Sequence, residues 1–308
     1  MTVLVTGASG FIGRHLCYRL VDEGYRVRGL LRPQSDSSHL SKDVNVARSD
    51  LADMPGLVKA CEGVAIIFHV AGVVHVGTRS SSEHYETNVE GTRNVLAAGR
   101  EAGVTRFVFF SSILATQKQS DYGRSKHLAE QLVLENAEHY RSVSILRPVN
   151  VYGATMKGNI AGLIKRIKKG SLPPLPLLSN RLSLVSVQDL CEAAILAAES
   201  PDSAGQTYPV TDGQSYTPNT LECAIYAALG QKKPGWRCPR VIFYAASLGA
   251  HILNSLGVWN NDLGLRTYRN LVESSEVSCE KIAAELGYQP SRTFKDELPA
   301  IISMLSSK

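Results

Sequence analysis

The chain lacks any C-x-x-C pair or Cys/His cluster; its six cysteines stand apart at 17, 61, 191, 223, 238 and 279. That spacing excludes a disulfide framework and a zinc site, so no metal is expected, and it matches the usage of a reducing cytoplasm. There is no basic leader followed by an apolar run, because strand-like residues begin at Thr2, and a secretory signal is not expected. Internal repeats and low-complexity tracts are missing too, and a composition of 44% hydrophobic and 20% charged residues with 25 Gly and 13 Pro sets aside collagen-like, coiled-coil and disordered classes. Neither sign of charge dominates: 33 Lys+Arg against 28 Asp+Glu give +5 over 308 residues. Such an excess is too mild for nucleic-acid binding, though it suits a small anionic ligand. The basic run Lys165, Arg166, Lys168 and Lys169 reads as a solvated helix face.

One stretch lacks charge altogether. Val241 to Trp259 holds no formal charge over 19 residues, near the length of a membrane span. Ser247, Gly249, His251, Asn254, Ser255 and Gly257 interrupt it. It therefore reads as a helix pair or a buried helix, with a membrane-surface helix as the alternative and no transmembrane span expected.

What is present is an alternation of short apolar runs with amphipathic helical patterns over residues 1–150, the mark of βαβ units and a parallel sheet. Strands are predicted at 3–5, 26–31, 44–47, 65–69, 106–110 and 142–146, with helices near 11–23, 54–61, 82–102 and 122–139. This predicts a doubly wound α/β domain whose ligand site lies at the carboxyl ends of the strands. Residues 151–308 are less regular and read as a smaller α+β substrate-binding lobe, with some of the chain expected to cross back to the first domain; helices are predicted near 160–169, 189–199, 218–229, 239–256 and 279–286 and short strands near 182–187 and 207–210.

The run 3–13 places Gly7, Gly10 and Gly13 where a strand turns into a helix. Glycine there permits the tight turn, close packing of helix on sheet, and the approach of a pyrophosphate to backbone N–H groups, those of Ser9, Phe11 and Ile12 among them. At the end of the second strand Leu31 occupies the position where an acidic residue would bind an adenosine ribose, and Arg32 follows. Arginine there could bind a 2′-phosphate, so NADP(H) is favoured, with NAD(H) the alternative and Arg32 as a plain loop residue also open. Asp50, after the third strand, is placed either to contact the adenine or to cap a helix.

Tyr122 and Lys126 lie at i and i+4, on one helix face. A neighbouring ammonium lowers the pKa of a phenol, which would make Tyr122 a usable acid or base. Ser111 and Ser112 end a strand of the same sheet.

Together these motifs resemble the extended short-chain dehydrogenase/reductase family, which includes nucleotide-sugar epimerases, dehydratases and 4-keto reductases on a Rossmann sheet. Gly7, Gly10 and Gly13 match its cofactor glycines, and Asp50-Leu51 its adenine-contacting pair. Val70, Ala71 and Gly72 follow its fourth strand, Asn88 matches its helix asparagine, and Ser112, Tyr122 and Lys126 fall on its catalytic triad. Pro148 and Val149 lie in the segment that passes the nicotinamide, and Asn150 falls where the family contacts a substrate diphosphate.

The resemblance implies that Tyr122 exchanges a proton with the substrate oxygen, that Ser112 hydrogen-bonds that oxygen, and that Lys126 binds the nicotinamide ribose. It also implies a homodimer built on the helices near 82–102 and 122–139. Two departures stand out. The link from Ser112 to Tyr122 is short for the family. The arginine expected before the strand near 184–187 aligns with Leu182, leaving Arg181 or Arg269 to hold a diphosphate or to serve as plain surface residues.

Dehydratases of the family carry an Asp-Glu pair after the catalytic Ser/Thr; Ile113 and Leu114 stand there instead, so water elimination is not expected. The stretches 122–130, 156–159 and 241–259 look most like bacterial enzymes of surface-polysaccharide, including lipopolysaccharide, biosynthesis. A cytoplasmic reductase of a nucleotide-sugar 4-ketone, of the UDP-4-keto-6-deoxy-N-acetylhexosamine type, is the expectation. A 4-epimerase with bound NAD, a reductase of a non-sugar ketone, and a non-catalytic NADPH sensor are the alternatives.

Overall fold

The computed structural model describes residues 1–74, 81–255 and 264–306. In chain order the elements are β1 (Thr2–Thr6), α1 (Phe11–Asp22), β2 (Arg26–Leu31), β3 (Asn45–Arg48), α2 (Met54–Cys61) and β4 (Ile66–His69). There follow α3 (Ser81–Tyr85), a π-helical turn at Glu86–Glu90, α4 (Gly91–Glu101), β5 (Arg106–Phe110), α5 (Leu114–Gln117), α6 (Asp121–Glu135) and β6 (Ser142–Pro148). The remainder is β7 (Asn150–Tyr152), α7 (Asn159–Lys168), β8 (Leu184–Ser186), α8 (Val187–Glu199), β9 (Gln206–Val210), α9 (Pro218–Ala228), α10 (Arg240–Ser255), α11 (Leu265–Val272), α12 (Glu280–Leu286) and α13 (Phe294–Ser306).

The chain divides into two compact units. The first holds Met1–Val151, Val187–Thr211 and Ser278–Ser291. Its sheet has seven strands in the order β3-β2-β1-β4-β5-β6-β9, and every pairing is parallel. The order reverses between β1 and β4, which is where a doubly wound sheet opens its ligand crevice. α1 packs on α8, while α2 and α6 pack on α4. Leu4, Ile67, Phe107, Phe109, Val143 and Ile145 project from the strands into a core closed by Leu57, Val95, Leu96, Ala129 and Val133 from the helices. The sequence reading places 189–199 and 207–210 in the later half and expects some of that chain to cross back to the first domain; α8 and β9 do so, with β9 pairing to β6 as the seventh strand of the main sheet.

The expected single helix over 82–102 is divided by the π-helical turn at Glu86–Glu90, which contains Asn88. Such turns insert one extra residue and re-aim a side chain, commonly at a functional position. Here Asn88 uses its whole amide on neighbouring elements, as described below.

The second unit comprises Tyr152–Ser186, Asp212–Val277 and Arg292–Lys308. α13 packs on α7 and α9. The buried Tyr152 hydroxyl donates to Asp212 at 2.9 Å, Tyr216 donates to the same carboxylate at 2.7 Å, and Phe294 stacks edge-on to Tyr152. Glu222, also buried, accepts from the Leu175 N–H at 2.7 Å and is ion-paired to Arg237. Lys165, Lys168 and Lys169 stand exposed at the end of α7, as a solvated face would require. No described helix is long and apolar enough to cross a membrane.

Candidate functional site

The carboxyl end of β1 is shaped by missing side chains. Gly7 has φ +67°, and a Cβ on it would lie 2.8 Å from the Ala71 Cα. A Cβ on Gly13 would come within 2.2 Å of the Gly7 carbonyl oxygen. These contacts bring α1 against the strand end and leave its first turn, capped by Gly10 without any side-chain bond and holding no acidic residue, open to an anion. Ser9 is exposed there, with Phe11 and Ile12 half-buried. A pyrophosphate-bearing cofactor fits this cradle.

A neutral relay ties the cradle to the helix layer. The Thr6 hydroxyl lies 2.8 Å from His69 Nδ1, His69 Nε2 lies 3.0 Å from Thr92 Oγ1, and Thr92 donates to the Asn88 carbonyl at 2.7 Å. With its hydrogen given to Asn88, Thr92 can only accept from His69, which places the ring proton on Nε2 and leaves Nδ1 to accept from Thr6. Complete burial, helped by the nearby Lys126 charge, holds His69 down to about 3, so it stays neutral. Thr6 Oγ1 also accepts from the Ala71 N–H at 3.1 Å, fixing the loop after β4.

Val70 and Ala71 are half-buried and Gly72 is exposed at that loop. Asn88 Oδ1 accepts from the Val73 N–H at 2.7 Å, and Nδ2 donates to the Val73 carbonyl at 3.1 Å and to Ser125 Oγ at 2.9 Å. Asn88 thus clamps the loop to α6. A Cβ on Gly72 would lie 3.2 Å from Lys126 Nζ, so the glycine leaves room beside the ammonium.

Ser112, Tyr122 and Lys126 all come together in the first unit and are buried, at 9%, 8% and 3% exposure. Ser112 Oγ accepts from the Leu114 N–H at 3.2 Å. Tyr122 lies in the first turn of α6, whose N-cap Ser120 accepts from the Gly123 N–H. Burial pushes the Tyr122 phenol up to about 12, against the opposing hydrogen bond with Ser112. The sequence reading expects Lys126 to lower this phenol. The structure corrects that, because desolvation outweighs other influences and Lys126 spends its ammonium elsewhere, donating to the Phe110 carbonyl at 2.7 Å and lying 4.6 Å from the centre of the Phe109 ring. The same burial brings Lys126 down to about 8, partly offset by Glu130.

Glu130 belongs to a charged network that sequence reasoning misses. One turn beyond Lys126 and buried, it accepts from Ser111 Oγ at 2.5 Å and forms a two-pronged ion pair with Arg147 of β6 at 2.8 and 2.6 Å. Arg147 sits in the Leu-Arg-Pro run that leads into the buried Pro148 and Val149. The Pro148 carbonyl accepts from the Ile113 N–H at 3.1 Å, joining that run to the Ser112 turn.

The short Ser112–Tyr122 link is built as a closed turn. α5 ends at Lys118 in a left-handed conformation, and a Cβ on Gly123 would approach the Leu114 carbonyl oxygen to 2.5 Å. Glycine at 123 is what lets so short a link lie against α6.

At the second strand Leu31 is buried at 1% exposure, while Arg32 is exposed and lines an open recess of about 320 Å³ with Gln34 and Ser35. Arg48, opposite Leu31 in β3, donates to the Pro33 and Ser35 carbonyls at 2.8 and 3.0 Å and to Ser37 Oγ at 3.3 Å. It pins the loop that carries Arg32. Asp50 accepts from the Ala52 N–H in a local turn; the cap of α2 is Asp53, so the capping alternative for Asp50 does not hold. Leu51 packs against Gly91, and its carbonyl accepts from Asn94 at 2.8 Å.

Asn150 is exposed at the start of β7. Arg181 and Arg269 both belong to the second unit and are exposed. Arg181 donates to Ser215 Oγ at 3.0 Å, and the neighbouring Leu182 is buried in backbone pairing with Tyr216. Among the described residues no group of three or more His, Cys, Asp or Glu side chains is placed to hold a metal ion.

A parallel sheet of this order, glycine-lined at β1 and carrying a buried Ser, Tyr and Lys beside β5, defines a dinucleotide-dependent oxidoreductase. The chain belongs to the NAD dependent epimerase/dehydratase family, whose model matches residues 3–211. Members are NAD-dependent epimerases and dehydrogenases, and this protein is an enzyme of that type. It is 29% identical over 265 residues to a UDP-glucose 4-epimerase of Vibrio cholerae, spanning 77% of this chain and 78% of that one. It is 27% identical over 318 residues to a 3-beta-hydroxysteroid dehydrogenase of Mycolicibacterium neoaurum, spanning 94% and 87%. The crystal structure of a Thermus thermophilus UDP-glucose 4-epimerase complexed with NAD superposes with a TM-score of 0.76 at 24% identity, covering 99% of each chain, and shares the fold.

Proposed function

We propose that the protein reduces the 4-ketone of a nucleotide sugar of the UDP-4-keto-6-deoxy-N-acetylhexosamine class, drawing on NADPH in preference to NADH. The end of β2 carries this reading: an apolar Leu31 is buried where a carboxylate would bind ribose hydroxyls, and Arg32 stands exposed at an open recess. A carboxylate there would repel a 2′-phosphate, whereas a guanidinium attracts one. A cofactor consumed at each turnover must exchange, which suits a reductase better than an epimerase that retains its NAD.

The hydride comes from the nicotinamide when the cofactor is bound. The chain supplies the rest. Tyr122, protonated at neutral pH, donates its phenolic proton to the ketone oxygen as charge develops there. Ser112, whose oxygen accepts from the Leu114 N–H and which is hydrogen-bonded to Tyr122 in the free protein, turns its hydroxyl to the same oxygen when substrate binds. Lys126 holds the nicotinamide ribose. Gly7, Gly10 and Gly13 seat the pyrophosphate, Asp50 and Leu51 border the adenine, and Val70, Ala71, Gly72, Asn88, Pro148 and Val149 line the cofactor. For the substrate diphosphate, Asn150 is the candidate in the first unit and Arg181 and Arg269 are the candidates in the second. Exposed Tyr85, Leu128 and Leu134 on α3 and α6 support a homodimer through these helices. The enzyme would act in the cytoplasm, in surface-polysaccharide synthesis.

Similarity to the steroid dehydrogenase over 94% of the chain favours a second reading, a reductase of a non-sugar ketone. The test is to offer purified protein NADPH with a UDP-4-keto-6-deoxy sugar and follow loss of NADPH absorbance. Stoichiometric loss supports the proposal. Interconversion of UDP-glucose and UDP-galactose without NADPH loss overturns it in favour of an epimerase, and turnover of a 3-ketosteroid alone establishes the second reading. Tyr122→Phe is expected to lower kcat by about 10²–10⁴-fold with NADPH binding retained.

A further inference from the structure

Between Glu222 and Asp262 the chain carries no carboxylate, yet Lys232, Lys233, Arg237 and Arg240 fall within ten residues of one another. α10 begins at the last of these. The sequence reading expects a helix pair or a buried helix over 241–259; residues 256–259 lie outside the described residues, and over Arg240–Ser255 the chain is one helix in which only Phe243, Ser247 and Ala250 are buried, with Phe243 6.1 Å from the ring of Tyr268 in α11. The opposite side is apolar as well. Val241 is 78% exposed, Ile242 59%, Ile252 49% and Leu253 38%, with exposed Ala245 and Ala246 between them. Trp236 stands at the foot of the helix, 58% exposed.

An outward helix face of a water-soluble domain is ordinarily polar, and one this apolar marks a contact surface. Its borders indicate what it contacts. Lys233 and Arg237 flank the buried Glu222, so four cations oppose one carboxylate, and Lys232 and Arg240 are exposed. Arg240 donates to the Tyr268 hydroxyl at 3.2 Å, which places its guanidinium at the first turn of the helix. An apolar stripe, a tryptophan at its end and a cationic rim are the features of a helix that lies in the headgroup region of an anionic bilayer. A second copy of this chain would bring the same cations against themselves. We propose that the outer face of α10, with Trp236 and the 232–240 cations, docks the protein on an anionic lipid surface without spanning it. This goes beyond the reductase reading and does not depend on it.

The experiment is sedimentation of the full chain with vesicles of phosphatidylcholine alone or mixed with phosphatidylglycerol. Binding is expected to the mixed vesicles, to weaken with added salt, and to shift Trp236 emission to the blue in a Trp259→Phe background. Ile242→Glu with Ile252→Glu, both at exposed positions, is expected to abolish sedimentation while NADPH binding and secondary structure persist. Lys232→Gln and Arg240→Gln should each lower the partition coefficient about fivefold. Three outcomes would overturn the proposal: no sedimentation with either vesicle, equal sedimentation of the double glutamate variant, or a solution dimer that this variant splits without any lipid binding.

Discussion

The two halves of the site are built by opposite means. Around β1 and β4 the chain works by omission and neutrality: Gly7, Gly13 and Gly72 leave space, and the buried His69 is held without charge between two threonines. Around β5 and β6 it buries charge and balances it, with Lys126 against a backbone carbonyl and Glu130 against Arg147 and Ser111. The first half is suited to receiving a polyanion, which brings its own charge. The second must hold a proton-transfer group steady when nothing charged is bound, and it does so with paired ions. Steric changes should therefore damage the first half, and uncompensated charge changes the second.

The largest stability effect is expected in the charged half. Arg147→Met leaves the buried Glu130 without its ion-pair partner, hydrogen-bonded to Ser111, and should cost about 3 kcal/mol of unfolding free energy in urea. Glu130→Gln combined with Arg147→Met should cost less than that single change, and equal losses would break the contrast. In the neutral half, Gly13→Ala forces a methyl onto the Gly7 carbonyl and should cost about 1–3 kcal/mol together with most cofactor affinity, read by NADPH fluorescence.

The pH behaviour separates the halves further. His69 has a folded pKa near 3 and an ordinary unfolded value of 6.5, so the unfolded chain binds the extra proton between these limits. Its contribution is fully present above about pH 6.5 and is lost as pH falls toward 3, at up to about 1.4 kcal/mol per pH unit. His69→Gln should flatten that acid limb, and an unchanged slope would show that other groups govern it. Lys126 loses its proton above about 8, so kcat/KM should decline on the alkaline side from there, well below the Tyr122 value of about 12. The smallest effect belongs to Arg48→Ala: freeing the 32–37 loop should raise KM for NADPH about fivefold, roughly one lost charge-assisted bond, with kcat unchanged.

The neutral half was the more legible in the amino-acid sequence. Glycines at fixed spacing after a strand are a local signal, whereas in the charged half only the Tyr/Lys pair one helical turn apart is one. The Glu130–Arg147 pair was not legible, because only the packing of α6 against β6 brings a helix carboxylate and a strand guanidinium together. The seventh strand escaped for a similar reason: the excursion Tyr152–Ser186 belongs to the second unit and separates β6 from the helix and strand that complete its crossover. α13 carried no clear helical signal, since Pro299 lies inside it and breaks the propensity pattern. The shift of Tyr122 depended on burial, which spacing does not report.

The tight turn after Ser112 has one further consequence. Its inner residues are fixed, Leu114 through its carbonyl against Gly123 and Ala115 through complete burial, whereas Lys118 and Gln119 point outward with the chain already reversing. Residues added at Lys118–Gln119 would enlarge the rim of the site without moving Ser112 or Tyr122. Protein engineers thus have a port at which a substrate-reading loop can be grafted onto an unaltered proton-transfer pair.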